Sequence, residues 1–188
     1  LFGEVGECPD LIKLNDKFVL LLSPTNLKEE KNRFKNINSS IYAVGDFNTK
    51  TGEFKFDYVD ELDKGHSFYA PQTLINDKHE VIMIGWLDMW AKPYYTHMSG
   101  HLWQGAFALP RILSLDKNNL LIQTPIDMSK YFNHVNKEST TSKVFNLKLD
   151  VSTRKDTVIK FLATKDNYFE LIIKPNKVEL STINTLLM

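Results

Sequence analysis

Short apolar runs with a period of two, cut at close intervals by turn-forming residues, restrict this chain to β-sheet. Lys17–Ser23 (KFVLLLS), Ser40–Asp46 (SIYAVGD), Glu80–Trp86 (EVIMIGW) and Asn119–Thr124 (NLLIQT) read as strands. Val81–Trp86 is apolar on both faces, which suits a strand covered on each side. Between the runs lie Asn, Asp, Lys and Gly clusters, the chemistry of turns. Thr49-Lys50-Thr51-Gly52 closes a hairpin, with Gly52 free to take a positive φ. No stretch of ten or more residues carries a helical period with caps, and a short helix or turn is expected only near Asp127–Val135. The fold class is therefore all-β.

Composition shifts near Pro125, and the polar stretch Asn136–Lys143 (NKESTTSK) reads as a linker or long loop. After it, Val144–Val151, Thr157–Thr164, Tyr168–Lys174 and Lys177–Thr182 are evenly spaced strands of the kind found in sandwiches. Two all-β pieces are expected, 1–125 and 126–188. The second has fewer strands than the roughly seven of a typical immunoglobulin-type sandwich, and Ile183–Met188 adds no closing strand signal.

Charge and cysteine usage narrow the function classes. Lys+Arg and Asp+Glu each number 23 in 188 residues, so nothing electrostatic points to nucleic acid or an anionic membrane. The longest apolar runs, such as Phe18–Leu22, are too short to span a bilayer as a helix, and no signal-peptide pattern opens the sequence. Leu1 stands where an initiator Met would, and the expectation is a chain that starts inside a domain. Cys8 is the only cysteine, which excludes an internal disulfide and a cysteine metal cluster, and slightly favours a cytoplasmic parent. The 5 histidines lack the paired spacing of a zinc site, so no metal and no cofactor are expected.

Three runs could carry chemistry. Glu7-Cys8-Pro9-Asp10 places a carboxyl just before a proline turn, where a strand end would project it. A solvated loop carboxylate at Glu7 and a turn-forming Asp10 are the plain structural alternatives. Asp63-Lys64-Gly65-His66-Ser67-Phe68-Tyr69-Ala70-Pro71-Gln72 mixes an acid, a glycine, aromatics and an amide. Carboxylates and amides bind sugar hydroxyls and aromatic rings cover C–H faces, so this mixture suits a carbohydrate pocket; the alternative is a turn leading into a core strand. Trp86, Trp90, Tyr94, Tyr95 and Trp103 form the third group, in which Trp86 reads as core and Trp90 as a loop residue open to a cleft. His97 and His101 read as loop residues because Gly100 separates them, and Arg111 reads as the partner of an acid.

In order and spacing these runs resemble glycoside hydrolase family 32, the invertases, sucrose-6-phosphate hydrolases, levanases and inulinases. The resemblance rests on Glu7-Cys8-Pro9-Asp10, on Asp63-x-Gly65-x-x-Phe68-Tyr69-Ala70-Pro71-Gln72, on Ile82-Met83-Ile84-Gly85-Trp86-Leu87-Asp88-Met89-Trp90, and on Trp103-Gln104-Gly105-x-x-x-Leu109-Pro110-Arg111. It covers residues 6–126. It implies a partial five-bladed β-propeller followed by part of a C-terminal β-sandwich. It also implies retaining hydrolysis of terminal β-D-fructofuranosyl bonds, with a small β-fructoside as the molecule bound. Glu7 matches the family's acid/base glutamate. Asp63, Tyr69 and Gln72 match its Asp-x-Gly-x-x-Phe-Tyr-Ala region beside that acid, and Trp90 lies where bacterial members place loops around the second sugar. The family's nucleophile sits in an Asn-Asp-Pro motif and a further aspartate in Arg-Asp-Pro; no Asp-Pro dipeptide occurs in these 188 residues.

The expectation is therefore a chain that carries the acid/base but not the nucleophile, inactive alone and prone to self-association through open sheet edges. Were it active, Asp10 and Asp63 would be the first alternative nucleophiles to examine. The alternatives are a non-catalytic carbohydrate-binding half-propeller and a propeller glycosidase of the arabinanase or xylosidase type.

Overall fold

The computed structural model describes residues 2–91, 95–132, 156–161, 166 and 168–183. The chain divides into two compact units, Leu1–Asp127 and Met128–Met188.

The first unit is built from two antiparallel sheets. Strands β1 (Gly6–Leu14), β2 (Lys17–Pro24), β3 (Ile41–Asn48) and β4 (Glu53–Glu61) pair in chain order. Alternation sets their register: Val19 and Leu21 of β2 and Val44 of β3 point to one side and are almost fully buried. The β3–β4 hairpin turns at Gly52, with φ 73°, while Asn48 Oδ1 accepts the Lys50 and Thr51 N–H groups. The second sheet has β5 (Tyr69–Ile75), β6 (Val81–Leu87), the two-residue β7 (Ala106–Phe107), β8 (Arg111–Leu115) and β9 (Leu121–Pro125). Their order is β5-β6-β8-β9, with β7 also on β6. A single helical turn, α1 (Tyr95–Met98), interrupts the β6–β7 connection, so His97 is in a helical turn rather than the loop expected from Gly100.

One core lies between the two sheets. Leu14, Val19, Leu21, Tyr42 and Val44 come from the first sheet, and Val81, Met83 and Leu113 from the second. Leu62 and Phe68, from the segment joining β4 to β5, close it. Only one face of β6 enters this core. Ile82, Ile84 and Trp86 on its other face are half-buried, and Leu74 and Ile122, on the same side of the sheet, are 50% and 42% exposed. The reading of Val81–Trp86 as covered on both sides thus holds for one face within the described residues.

Both leading strands are bulged in the same way. In β1, Cys8 and Pro9 together stand opposite Leu22; in β5, Ala70 and Pro71 stand opposite Gly85. Each bulge holds a non-glycine residue in the left-handed region, Cys8 at φ 49° and Ala70 at φ 48°. Such residues are held at a cost on the order of 1 to 3 kcal/mol each and persist where the surroundings fix them. The bulges also let proline sit inside a strand, since the ladder is already broken there.

In the second unit a 3-10 turn at Ser129–Tyr131 lies where a short helix or turn near Asp127–Val135 was expected; 133–135 lie outside the described residues. Strands β10 (Thr157–Phe161), β11 (Tyr168–Lys174) and β12 (Lys177–Ile183) form an antiparallel sheet in chain order. Ile159, Leu171 and Leu180 line up across one face, while ion pairs Lys160–Glu170 and Lys174–Glu179 stud the other. The expected strand Val144–Val151 lies outside the described residues.

Gly85 tests the packing behind the β5 bulge. A Cβ there would stand 2.2 Å from the Phe68 ring. Gly85→Ala should therefore destabilise the first unit by about 1–3 kcal/mol through overpacking, read as a lower urea midpoint at unchanged m-value.

Candidate active site

The antiparallel succession of strands brings four of the residues singled out above to one end of the two sheets. Glu7 is near the start of β1, Asp63 lies two residues past the end of β4, Tyr69 starts β5, and Trp90 lies three residues past the end of β6. Glu7 falls inside β1 rather than in a turn before it, because the bulge carries the strand through Pro9. The bulge turns the Glu7 carboxylate toward β5.

Glu7 and Tyr69 meet directly. The Tyr69 hydroxyl donates to Glu7 Oε2 at 2.7 Å and also lies 3.0 Å from the Ser23 carbonyl oxygen. Tyr69 is 2% exposed. Burial, then the Glu7 hydrogen bond and charge, push its phenol well above the usual range. The phenol is thus a protonated donor to Glu7 Oε2 in the neutral range. The Trp90 ring packs edge-on against Tyr69, with centroids 4.7 Å apart and planes at 80°, while remaining 52% exposed. Glu7, a buried phenol and a half-exposed indole therefore form one surface, with the apolar and polar elements a sugar pocket uses.

The other candidates are committed elsewhere. Asp10 Oδ2 accepts both the Thr73 N–H (2.8 Å) and the Thr73 hydroxyl (2.7 Å), which ties β1 to β5. Asp63 Oδ2 takes Arg111 Nη2 at 2.7 Å, and its Oδ1 takes the Gly65 N–H at 2.7 Å. Arg111 also lies over the Phe68 ring and donates to Gln123 Oε1, whose amide nitrogen reaches the Leu62 carbonyl. This cluster borders an open cavity of about 570 Å³ lined by Tyr42, Asp60, Asp63, Lys64, Arg111 and Gln123. The Gln72 side chain is turned back onto the Pro71 carbonyl at 2.8 Å. Tyr94 lies outside the described residues. No group of three or more His, Cys, Asp or Glu able to hold a metal gathers among the described residues.

Sequence reasoning missed Ser23 and Ser40, both almost fully buried beside Tyr69, because serines in strands carry no signal of their own. It also missed Asp88. That residue is fully buried, and its Oδ2 has no partner among the described residues. Gly105, at φ 77°, packs so closely that a Cβ would stand 2.3 Å from Trp86 Nε1 and 2.9 Å from Asp88 Oδ2.

Comparison with known proteins adds the following. The model of the glycosyl hydrolases family 32 N-terminal domain matches residues 2–125. A sucrose-6-phosphate hydrolase of Staphylococcus xylosus is 36% identical over 125 residues, 66% of this chain and 25% of the relative. One of Bacillus subtilis is 37% identical over 127 residues, 66% of this chain and 26% of the relative. The chain thus spans about a quarter of the length of the curated relatives it matches. Among solved structures, a family-32 β-fructofuranosidase of Bombyx mori is 27% identical with a TM-score of 0.68, covering 96% of this chain and 42% of that one. The sucrose-6-phosphate hydrolase of Lactobacillus gasseri, 19% identical, shares the fold at a TM-score of 0.75 over 96% of this chain and 39% of its own.

The two acids of β1 should respond differently to substitution. Asp10→Ala strands the Thr73 N–H and hydroxyl and should cost about 1–3 kcal/mol. Glu7→Gln keeps a carbonyl oxygen to accept the Tyr69 hydroxyl and should change stability by less than about 0.5 kcal/mol. Urea denaturation of the two variants checks the contrast.

Proposed function

The chain belongs to glycosyl hydrolases family 32, and from that footing we propose that it supplies the acid/base half of a retaining β-fructofuranosidase site acting on sucrose, sucrose 6-phosphate or a fructan. The observation that carries this reading is the 2.7 Å hydrogen bond from buried Tyr69 to Glu7, with Trp90 against the phenol. The names of the relatives, sucrose-6-phosphate hydrolase and β-fructofuranosidase, favour a small β-fructoside.

In this reading protonated Glu7 gives its proton to the glycosidic oxygen as the bond to the fructosyl carbon breaks. A carboxylate on the opposite face forms the fructosyl ester. Glu7, now ionised, takes a proton from the water that hydrolyses the ester. Tyr69 occupies Glu7 Oε2 and leaves Oε1 for the proton transfer. Trp90 offers a ring to the sugar's C–H face. Asp63, held by Arg111, and Gln72, once its amide leaves the Pro71 carbonyl, bind sugar hydroxyls. With no Asp-Pro dipeptide in these 188 residues, the nucleophile and the Arg-Asp-Pro aspartate come from polypeptide outside them. The two sheets of the first unit are then two blades of a five-bladed propeller, spanning 1–125. The sheet of the second unit is part of a β-sandwich within 126–188.

Fructose release from sucrose, sucrose 6-phosphate and levan tests this. The 188-residue chain alone should release none. Joined to a segment that supplies the Asn-Asp-Pro aspartate, it should hydrolyse a β-fructoside, and Glu7→Gln should lower kcat by at least about 100-fold. Fructose release by the chain alone would overturn the shared-site reading; a joined protein indifferent to Glu7→Gln would overturn the acid/base assignment.

The exposed side of the second sheet bears on association. Leu74, Ile122 and Phe107 are 50%, 42% and 83% exposed, and β4 and β9 each end a sheet. Apolar faces and open edges of this kind recruit other chains. The isolated chain should sediment as oligomers at micromolar concentration, and a persistent monomer would count against this.

A further inference from the structure

Tyr69 is gripped from both sides by two buried serines on the neighbouring sheet. Ser23, 0% exposed, is the penultimate residue of β2, and Ser40, 3% exposed, immediately precedes β3. The Ala70 N–H donates to Ser23 Oγ at 3.1 Å, Ser23 Oγ lies 3.1 Å from Ser40 Oγ, and Ser40 Oγ donates to the Phe68 carbonyl at 3.2 Å. A serine hydroxyl has one proton. Ser40 uses its proton on Phe68, whose carbonyl can only accept. The proton between the two serines is therefore that of Ser23. The chain of donors runs one way, from Ala70 N–H through Ser23 and Ser40 to the Phe68 carbonyl, and it closes through the backbone of Tyr69 itself. The same Ser23 stands opposite Glu7 in the β1–β2 ladder, and its carbonyl lies 3.0 Å from the Tyr69 hydroxyl.

We propose that Ser23 and Ser40 are positioning residues for the Glu7 acid/base: their directed hydrogen-bond ring fixes the backbone on either side of Tyr69 and so holds the phenol on the Glu7 carboxylate. The assignment of Glu7 rests on the function proposed above; the ring does not. Three features make it more than general core polarity. Ala70 is in the left-handed region, a conformation that needs external support. Ring members polarise one another in a buried setting, so loss of one bond weakens the rest. The neighbouring buried polar residues do not share in it: Asn38 Nδ2 turns to Met89 Sδ, and Ser39 Oγ has no partner among the described residues.

The test separates a ring from two independent bonds. Ser40 does not touch the Ala70 amide, so in Ser40→Ala that amide keeps its own acceptor. If the ring acts as a unit, hydrogen exchange at the Ala70 amide, read by NMR on the full chain, should accelerate at least about tenfold in Ser40→Ala and return near the wild-type rate in Ser40→Thr. The second readout is the Glu7 carboxyl carbon resonance in chain labelled at glutamate. It should move in Ser40→Ala in the same direction as in Tyr69→Phe. Unchanged exchange at Ala70 would overturn the ring. Accelerated exchange with an unmoved Glu7 resonance would overturn the positioning role. Should Ser40→Ala not fold, Ser40→Cys keeps the shape with a weak S–H donor and carries the same two readouts. Neither needs substrate, so a chain without fructosidase chemistry would leave the outcome interpretable.

Discussion

Strands β1 and β5 each lead a sheet, and Asp10 seams one to the other. Its Oδ2 takes both the backbone N–H and the hydroxyl of Thr73. Two short bonds to one ionised oxygen make a strong junction, because charge-assisted hydrogen bonds are shorter and stronger than neutral ones. The seam fixes how far β5 can slide along β1, and the bulges, directly before Asp10 in β1 and one residue short of Thr73 in β5, inherit that register. Glu7 and Tyr69 occupy equivalent places, each directly before its bulge. Were β5 to slip by one residue, Tyr69 would point to the other face of its strand and the contact with Glu7 would be lost.

The electrostatics follow from that placement. Tyr69 is buried where its ionised form would meet both low polarity and the Glu7 charge, so it stays a neutral donor. Asp63, by contrast, faces Arg111 at the rim of an open cavity. Arg111 spreads its guanidinium over Asp63, Gln123 and the Phe68 ring. Phe68 therefore joins two neighbouring regions: its ring supports the ionic cluster, while its carbonyl closes the serine ring around Tyr69.

Much of this was legible in the sequence, and the gaps have physical causes. Strands β2, β3, β6, β9, β10, β11 and β12 announce themselves by alternation or by apolar runs between turns, and the hairpin at Gly52 follows from its residues. Strands β1 and β5 do not, because Pro9 and Pro71 sit inside them and the bulges shift the alternation by a residue. β4 was missed although Phe54, Phe56 and Tyr58 do alternate; its charged intervening residues and half-exposed aromatics resemble a loop when no partner strand is known. Glu7, Tyr69 and Trp90 were singled out as chemistry and do touch in sequence, Glu7 to Tyr69 to Trp90. The serines that hold Tyr69 and the buried Asp88 could not be found this way. Their importance comes from burial and from partners 17 to 47 positions away in the chain or, for Asp88, from the lack of one.

The commitments of the neighbouring carboxylates bear on what else the chemistry needs. A retaining glycosidase uses two carboxyls roughly 5–5.5 Å apart, and the attacking one must present a free, ionised oxygen to the sugar. Asp10 is the acid nearest to Glu7 in sequence, yet the oxygen that receives Thr73 is the seam between the sheets. Using it to attack a fructosyl carbon would break two bonds that set the register of the site. Asp63 has one oxygen on Arg111 and the other on the Gly65 N–H, so both are occupied and its charge is neutralised. A carboxylate so paired is a poor nucleophile, since the hydrogen bonds that stabilise its charge withdraw the electrons it would donate. Glu7 differs from both: Tyr69 engages Oε2 only. Glu7 and Asp10 each keep one oxygen outside these bonds, but only in Glu7 is the other oxygen held by a phenol rather than by the seam between the sheets. Under the function proposed above, that arrangement suits Glu7 to proton donation and leaves Asp10 and Asp63 to hold the fold.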